Sequence, residues 1–495
     1  MANGGIIGTV NNPTSTTATG VWQQEEQYEA KVTDTWPQRA LFTTKSARFN
    51  SGSSDSLTKS LGTPTSTKIG TFSCWVKLGN VTTEQTMLGA YADSSNRHHI
   101  EFQADHNIEI FGKASNSTNM ELITNAFFRD VSAWYNIVVA YDTSQGTASN
   151  RVKLYVNGVQ ETSFATETYP AQDTVLQFNT SGSTIAVGRN QGGNYADGYM
   201  CEVVFIDGQQ LAPTDFGEFD EDSGIWKPIN VSGLTAGNNG FYLDFEASGN
   251  LGNDAFGGTD LTENNLTAID QTTDTCTNNF ATLNPLNNYW SAATFSEGNS
   301  VYTSNNTSEY YGVAQSTIGV SSGKWYFEAK VGTQSGQDIL GITSRNQTGR
   351  GTWLGSTTQA YGYYQDNGEI RSGGSDTAYG QAYTVNDIIG IYMDLDNNKM
   401  YVSDNGVLMN SGTGHTITAA SLTDSGFYHF AVGDNSDNTQ VWQCNFGGTS
   451  GFTVSSGNTD VNGYGNFEYD PSAGTFDGVS KDFLALCTKN LAEYG

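Results

Sequence analysis

Positive charge is scarce in this 495-residue sequence. Lys and Arg total 22 against 51 Asp and Glu, and the formal net charge is −29. So acidic a surface repels a phosphate backbone and anionic lipid, which argues against nucleic-acid binding and membrane adhesion. Long apolar runs are missing too. Stretches such as Ile137-Val138-Val139-Ala140 fall far short of the roughly 20 residues that a helix needs to cross a bilayer, so no membrane insertion is expected. The opening Met1-Ala2-Asn3-Gly4-Gly5-Ile6-Ile7-Gly8 has neither a basic segment nor an extended apolar one, and no secretory signal is expected. With 8 prolines the chain is neither collagen-like nor a proline-rich spacer. Cys74, Cys201, Cys276, Cys444 and Cys487 are odd in number, widely spaced and form no C-x-x-C, so they read as free thiols in a reducing cytosol. No G-x-S-x-G, phosphate-binding Gly-rich loop or Cys/His zinc spacing is present.

What is present is aromatic and polar. Aromatics reach 12% and glycines number 57, set among Ser, Thr and Asn, which suits short strands with long polar loops. In Phe72-Ser73-Cys74-Trp75-Val76, the residues Phe72, Cys74 and Val76 share one face. Ile108 and Ile110 oppose Glu109 in the same way, and Val152, Leu154 and Val156 run straight into Asn157-Gly158, a hairpin signal. Further on, Trp325, Phe327, Ala329 and Val331 form an apolar face. Ile388 to Met393 reads as a central strand that turns through Asp394-Leu395-Asp396-Asn397-Asn398 into Lys399-Met400-Tyr401-Val402. The fold class expected is all-β, with two antiparallel β-sandwiches. The boundaries expected are an arm at 1–40 with a short helix, a first sandwich with polar extension at 41–275, a second at 276–450 and a C-terminal segment at 451–495. The stretch 249–288 reads as a polar connection carrying one or two edge strands. The arm is too short for a core of its own, so Val21, Trp22, Tyr28, Val32 and Trp36 are expected to anchor it on a partner.

Several motifs carry a resemblance. Ala47-Arg48-Phe49-Asn50, Phe72 to Val76, Trp134 to Asp142, Val152 to Val159 and Gly198 to Val203 together resemble a laminin-G-like, concanavalin A-like jelly roll. Gly323-Lys324-Trp325-Tyr326-Phe327-Glu328, Asp387 through Gly406 and Asn445-Phe446-Gly447 resemble a SPRY domain. Phe205 to Glu218, Ile225-Trp226-Lys227-Pro228, Thr277 to Pro285 and Leu484 to Leu491 are similar to segments of tailed-phage virion proteins. The opening, with Gly20-Val21-Trp22, resembles marine or cyanobacterial phage appendages. The resemblance implies a structural virion protein displayed outside the particle. With no catalytic constellation in the sequence, the reading is a non-enzymatic protein of tail-fibre or appendage type, made in the host cytoplasm. Its expected partners are other virion proteins, further copies of itself and host-surface polysaccharide. A capsid decoration protein is the alternative, and a polysaccharide-degrading enzyme the third reading.

Concanavalin A-like folds also host glycosidases, which need two carboxylates flanking the scissile bond. Glu218-Phe219-Asp220 starts such a pattern but reaches Ser223 where an acid is needed, and reads as a solvated acidic loop. Laminin-G-like relatives bind calcium through loop carboxylates, which makes Asp93, Asp105, Asp142 and Asp197 candidates, although Cys201 stands where many relatives carry Asp. No other cofactor is expected. His98, His99 and His106 read as surface residues, with His98 and His99 on opposite faces of a strand. Sugars are held by aromatic faces together with amides and carboxylates. Asn194, Tyr195, Trp353, Tyr364, Asp366 and Asn367 are therefore the glycan-binding candidates, with Tyr195 and Tyr364 expected on exposed turns and Tyr361 and Tyr363 in the core.

Overall fold

A computed structural model describes residues 43–495 apart from 222, 288–292, 306–311, 335, 346–351 and 437. The expected helix of the arm, with Val21, Trp22, Tyr28, Val32 and Trp36, lies outside the described residues. The described part is built from antiparallel sheets, with one α-helix at Thr488–Tyr494.

Two eight-stranded sheets form the first sandwich. One runs in the order Val159–Glu161, Val152–Val156, Trp134–Asp142, Ile69–Leu78, Gly198–Asp207, Ser46–Phe49 and Gln271–Thr272, with Phe241–Leu243 also on Gly198–Asp207. The other runs Phe164–Thr168, Ser117–Thr124, Ile108–Ala114, Asn96–Phe102, Gln85–Asp93, Thr184–Val187, Ser56–Ser60 and Thr262–Asn264. Period-two alternation fills the space between them. Phe72, Cys74, Val76, Ile100, Phe102, Ile108, Ile110, Val152, Leu154 and Val156 all enter one core. Asn157 and Gly158 have φ of 48° and 79°, as a tight I′ turn between Val156 and its partner Val159 requires. The polar connection supplies two edge strands, Thr262–Asn264 and Gln271–Thr272.

The second sandwich repeats the plan. Lys324–Thr333 and Ile388–Asp394 are central in one sheet, and Asp338–Thr343 lies between His429–Asp434 and Ala360–Tyr364 in the other. Trp325, Phe327, Ala329, Val331, Ile389, Ile391 and Met393 enter its core, where Phe327 lies 4.6 Å from Phe446 and 5.3 Å from Phe430. Tyr326 and Tyr392 point out of the same sheet. They are covered by the C-terminal segment through Phe467, Phe476 and Phe483, while Leu484–Ala485 adds a short parallel strand.

Polar contacts join the sandwiches. Lys77, on the Ile69–Leu78 strand, is fully buried. Its ammonium donates to Asp274 (2.7 Å), to the Asn279 side chain (2.8 Å) and to the Phe280 carbonyl (2.8 Å). Asp274 also accepts from Trp134 Nε1 at 3.2 Å and the Phe280 N–H at 3.2 Å, so the buried pair is fully engaged. Arg48 bonds Asp270 (2.9 Å), Glu297 (2.8 Å) and the Ser450 carbonyl (3.0 Å), linking both sandwiches. The five cysteines are free thiols, as expected.

Candidate functional site

The alternation that sends Ile100, Phe102, Ile108 and Ile110 inward turns His99, Glu101 and Glu109 to the outer face of the first sandwich. The hairpin register sets Glu101 directly opposite Glu109 and His99 opposite Phe111. His99 Nε2 lies 3.4 Å from Glu101 Oε1 and 3.4 Å from Glu109 Oε2. The His99 ring stacks on Phe111 at 5.0 Å and 18°. The other carboxylate oxygen of Glu101 accepts from Thr86 Oγ1 (2.9 Å) and Asn190 Nδ2 (2.8 Å). All three side chains are buried, and burial raises the Glu101 carboxyl above its usual range.

The cover is the loop 188–197. It crosses the sheet at Gly89, where a Cβ would sit 2.4 Å from the Arg189 carbonyl, so only glycine fits. Asn190 ties the loop down twice, because its Oδ1 also accepts the N–H groups of Gly192 (2.7 Å) and Asn194 (3.2 Å). Asn194 donates to Glu84, and Tyr195 accepts from Arg189, whose guanidinium stacks on Tyr91 at 5.5 Å. Arg97 lies over Phe111 at 5.8 Å and donates to Gln191 at 3.2 Å. Asn194 and Tyr195 are half-buried at the border of this face.

His98 and His99 do point to opposite faces, but the surface expectation fails for both. His98 is buried in the core against Phe178 (5.5 Å), and desolvation lowers its pKa to about 3. His99 lies under the loop 188–197. The turn expectation fails for Tyr364 as well. It ends the Ala360–Tyr364 strand, is buried, and carries the Arg371 guanidinium 3.4 Å above its ring. Trp353, half-buried, joins the same stack at 5.8 Å from Arg371. Asp366 and Asn367 are exposed on the following turn, where Asn367 donates to Glu369 at 2.6 Å. Tyr361 and Tyr363 are in the core, as expected. The six glycan candidates thus fall into two groups, one on each sandwich.

Glu218 and Asp220 sit on a hairpin of Gly217–Phe219 with Trp226–Pro228, where Lys227 reaches both, at 3.6 and 2.5 Å. Among the described residues, the grouping of three potential metal-ligand side chains is His99, Glu101 and Glu109. Asp93, Asp105, Asp142 and Asp197 do not belong to it. The sequence pattern marks Glu109 only as outward-facing, places Asn190 only in a polar loop and does not single out Glu101. The available signal was the equal parity of His99, Glu101 and Glu109 in a hairpin that turns between Phe102 and Ile108.

Two family models match. Residues 50–212 match one described as the concanavalin A-like lectin/glucanases superfamily, and residues 324–449 match the SPRY domain. The chain carries a laminin-G-like domain and a SPRY domain. Nothing in these matches indicates a phage or virion origin. A Drosophila melanogaster protein called Ran-binding proteins 9/10 homolog is 34% identical over 89 residues, 18% of this chain and 9% of that protein. This chain therefore spans under a tenth of that relative's length. Among solved structures, the SPRY domain of human HERC1 aligns with TM-score 0.28 and 16% identity, covering 33% of this chain and 96% of that one. A carbohydrate-binding protein of Bacteroides ovatus, so described provisionally, aligns with TM-score 0.31 and 14% identity over 46% and 59% of the two chains. A heptameric SAP-like pentraxin from Limulus polyphemus gives 0.27 and 13% over 34% and 79%.

Proposed function

We propose that this is a non-enzymatic binding protein whose laminin-G-like domain holds polysaccharide on the outer face beside the loop 188–197. The observation that carries this is the meeting of ring faces and polar groups there. Tyr91, Phe111 and Tyr195 are half-buried and stand beside Arg97, Arg189, Gln191 and Asn194. Such a mixture stacks on sugar C–H groups and bonds to hydroxyls. The stacked Trp353, Tyr364 and Arg371 on the SPRY domain form a second, flatter contact surface. A non-catalytic role is supported by the pairing of Glu218 and Asp220 with Lys227 on a partly exposed hairpin. Of wider context, the similarity of the joining segments to virion proteins supports display on the outside of a phage particle. There the protein would be present in repeated copies with other virion proteins, and the glycan would belong to the host surface.

The test is binding of the full chain to an array of bacterial surface polysaccharides. Retention is expected for the natural chain, with about tenfold weaker retention for Tyr195→Ala and Asn194→Ala. Absence of binding to every polysaccharide removes the glycan reading, and release of reducing ends removes the non-enzymatic one. Gold-labelled antibody on particles tests display. Label on tail fibres is expected, and label on capsomers selects the decoration role.

A further inference from the structure

We propose that His99, Glu101 and Glu109 bind a divalent transition-metal cation of the zinc type on the outer sheet of the laminin-G-like domain. This stands apart from the glycan reading and does not depend on it.

Three observations converge. The first is charge. Glu101 and Glu109 are directly opposed in the ladder and both are buried. Like charges so placed repel, and nearby water does little to screen them. One protonated histidine offsets only one of the two carboxylates, whereas a dication balances both. The second is distance. Both His99–carboxylate separations are 3.4 Å, long for hydrogen bonds. They match the edge of a tetrahedron, roughly 3.3–3.5 Å, built with metal–ligand distances of about 2.0–2.1 Å. The three ligand atoms all lie within 4.8 Å of one another, so a small closure completes the set. The third is preorganisation. Thr86 and Asn190 hold one oxygen of Glu101 and leave the other facing His99, while Phe111 fixes the imidazole plane. Outer contacts of this kind orient metal ligands.

The donor set decides the class of ion. A nitrogen ligand with two carboxylates suits zinc, cobalt, nickel or manganese. Calcium takes six to eight oxygen ligands and finds too few here. Three protein ligands leave one position of a tetrahedron for water or another small donor.

The experiment uses the full chain, stripped with a chelator and titrated with Zn2+ by calorimetry and with Co2+ by visible absorption. One equivalent is expected to bind, and the Co2+ spectrum is expected to be that of a four-coordinate ion. Excess Ca2+ should not displace it. Glu109→Gln, at the rim of the group and nearly the same shape, should weaken binding at least about tenfold, and Asn190→Ala about 10–100-fold. His106→Ala, on the neighbouring turn, should change nothing. Circular dichroism identifies any variant that fails to fold, and Glu109→Gln is the variant that keeps the test decisive if Asn190→Ala does. No one-to-one binding by the natural chain overturns the proposal, as does binding that survives Glu109→Gln. Neither result touches polysaccharide retention, which is measured with chelator present.

Discussion

The outer faces of the two sandwiches handle buried carboxylates in opposite ways. On the SPRY domain, Glu328 is met by four donors. These are Asn445 Nδ2 (2.8 Å), the Glu468 N–H (2.7 Å), the Tyr326 hydroxyl (3.0 Å) and the Tyr469 N–H (3.3 Å). Two come from the C-terminal segment, so the carboxylate pins the cover onto the sheet. On the laminin-G-like domain, Glu101 accepts from Thr86 and Asn190 on one oxygen, but it faces Glu109, and the two carboxylates share one imidazole at hydrogen-bonding limits. A carboxylate with a structural task is saturated by its own chain. Two opposed carboxylates with one imidazole between them are where the proposed cation would add its charge.

Four changes sharpen or break that contrast. The largest effect is expected from Phe483→Ala. Its ring packs 4.8 Å from Phe476 and 5.1 Å from Tyr392 in the seam between segment and sheet, and its loss should cost about 3–5 kcal/mol in urea unfolding. Unchanged stability would mean that the segment is not integral to the SPRY domain. Glu328→Ala should follow at about 3 kcal/mol, because it strands several buried donors at once. A much smaller loss would show that water replaces the carboxylate.

Third comes pH. Burial lifts Glu328 from 4.5 to about 7, so its stabilising effect is full below pH 4.5 and is lost as pH rises through about 7. Burial depresses His98 from 6.5 to about 3, so its contribution is present above pH 6.5 and is lost as pH falls toward 3. Each slope approaches about 1.4 kcal/mol per pH unit inside its window. Hydrogen exchange on the full chain should therefore show the two domains weakening in opposite directions, with His98→Gln and Glu328→Gln each flattening one slope. Parallel pH profiles would defeat the contrast. The smallest effect is expected for Lys227→Ala. Its partners Glu218 and Asp220 are partly exposed, so the loss should stay within about 0.2–1 kcal/mol by thermal melting.

The sandwiches were legible because period-two runs such as Phe72-Cys74-Val76 and Trp325-Phe327-Ala329 carry their own facing, and Asn157-Gly158 fixes its own turn. Tyr364 was not. It pairs with Ile339, 25 positions earlier, and its cover is Arg371, contacts that no local pattern encodes. His99 misled for a related reason. Strand parity gave its direction correctly, but its burial depends on the loop 188–197 arriving from some ninety residues away. Facing is a local property, whereas cover is a tertiary one.

Both sandwiches are closed by strands that arrive late in synthesis. Ser46–Phe49 meets Gln271–Thr272, and Lys324–Thr333 meets Leu484–Ala485. At translation speeds of about 5–20 residues per second, each early strand waits on the order of ten seconds or more for its closing neighbour. During that interval Tyr326 and Tyr392 lie open on the nascent SPRY sheet, and a ribosome that stalls before Phe467 releases a chain with this aromatic surface uncovered, a ready substrate for chaperones or for aggregation.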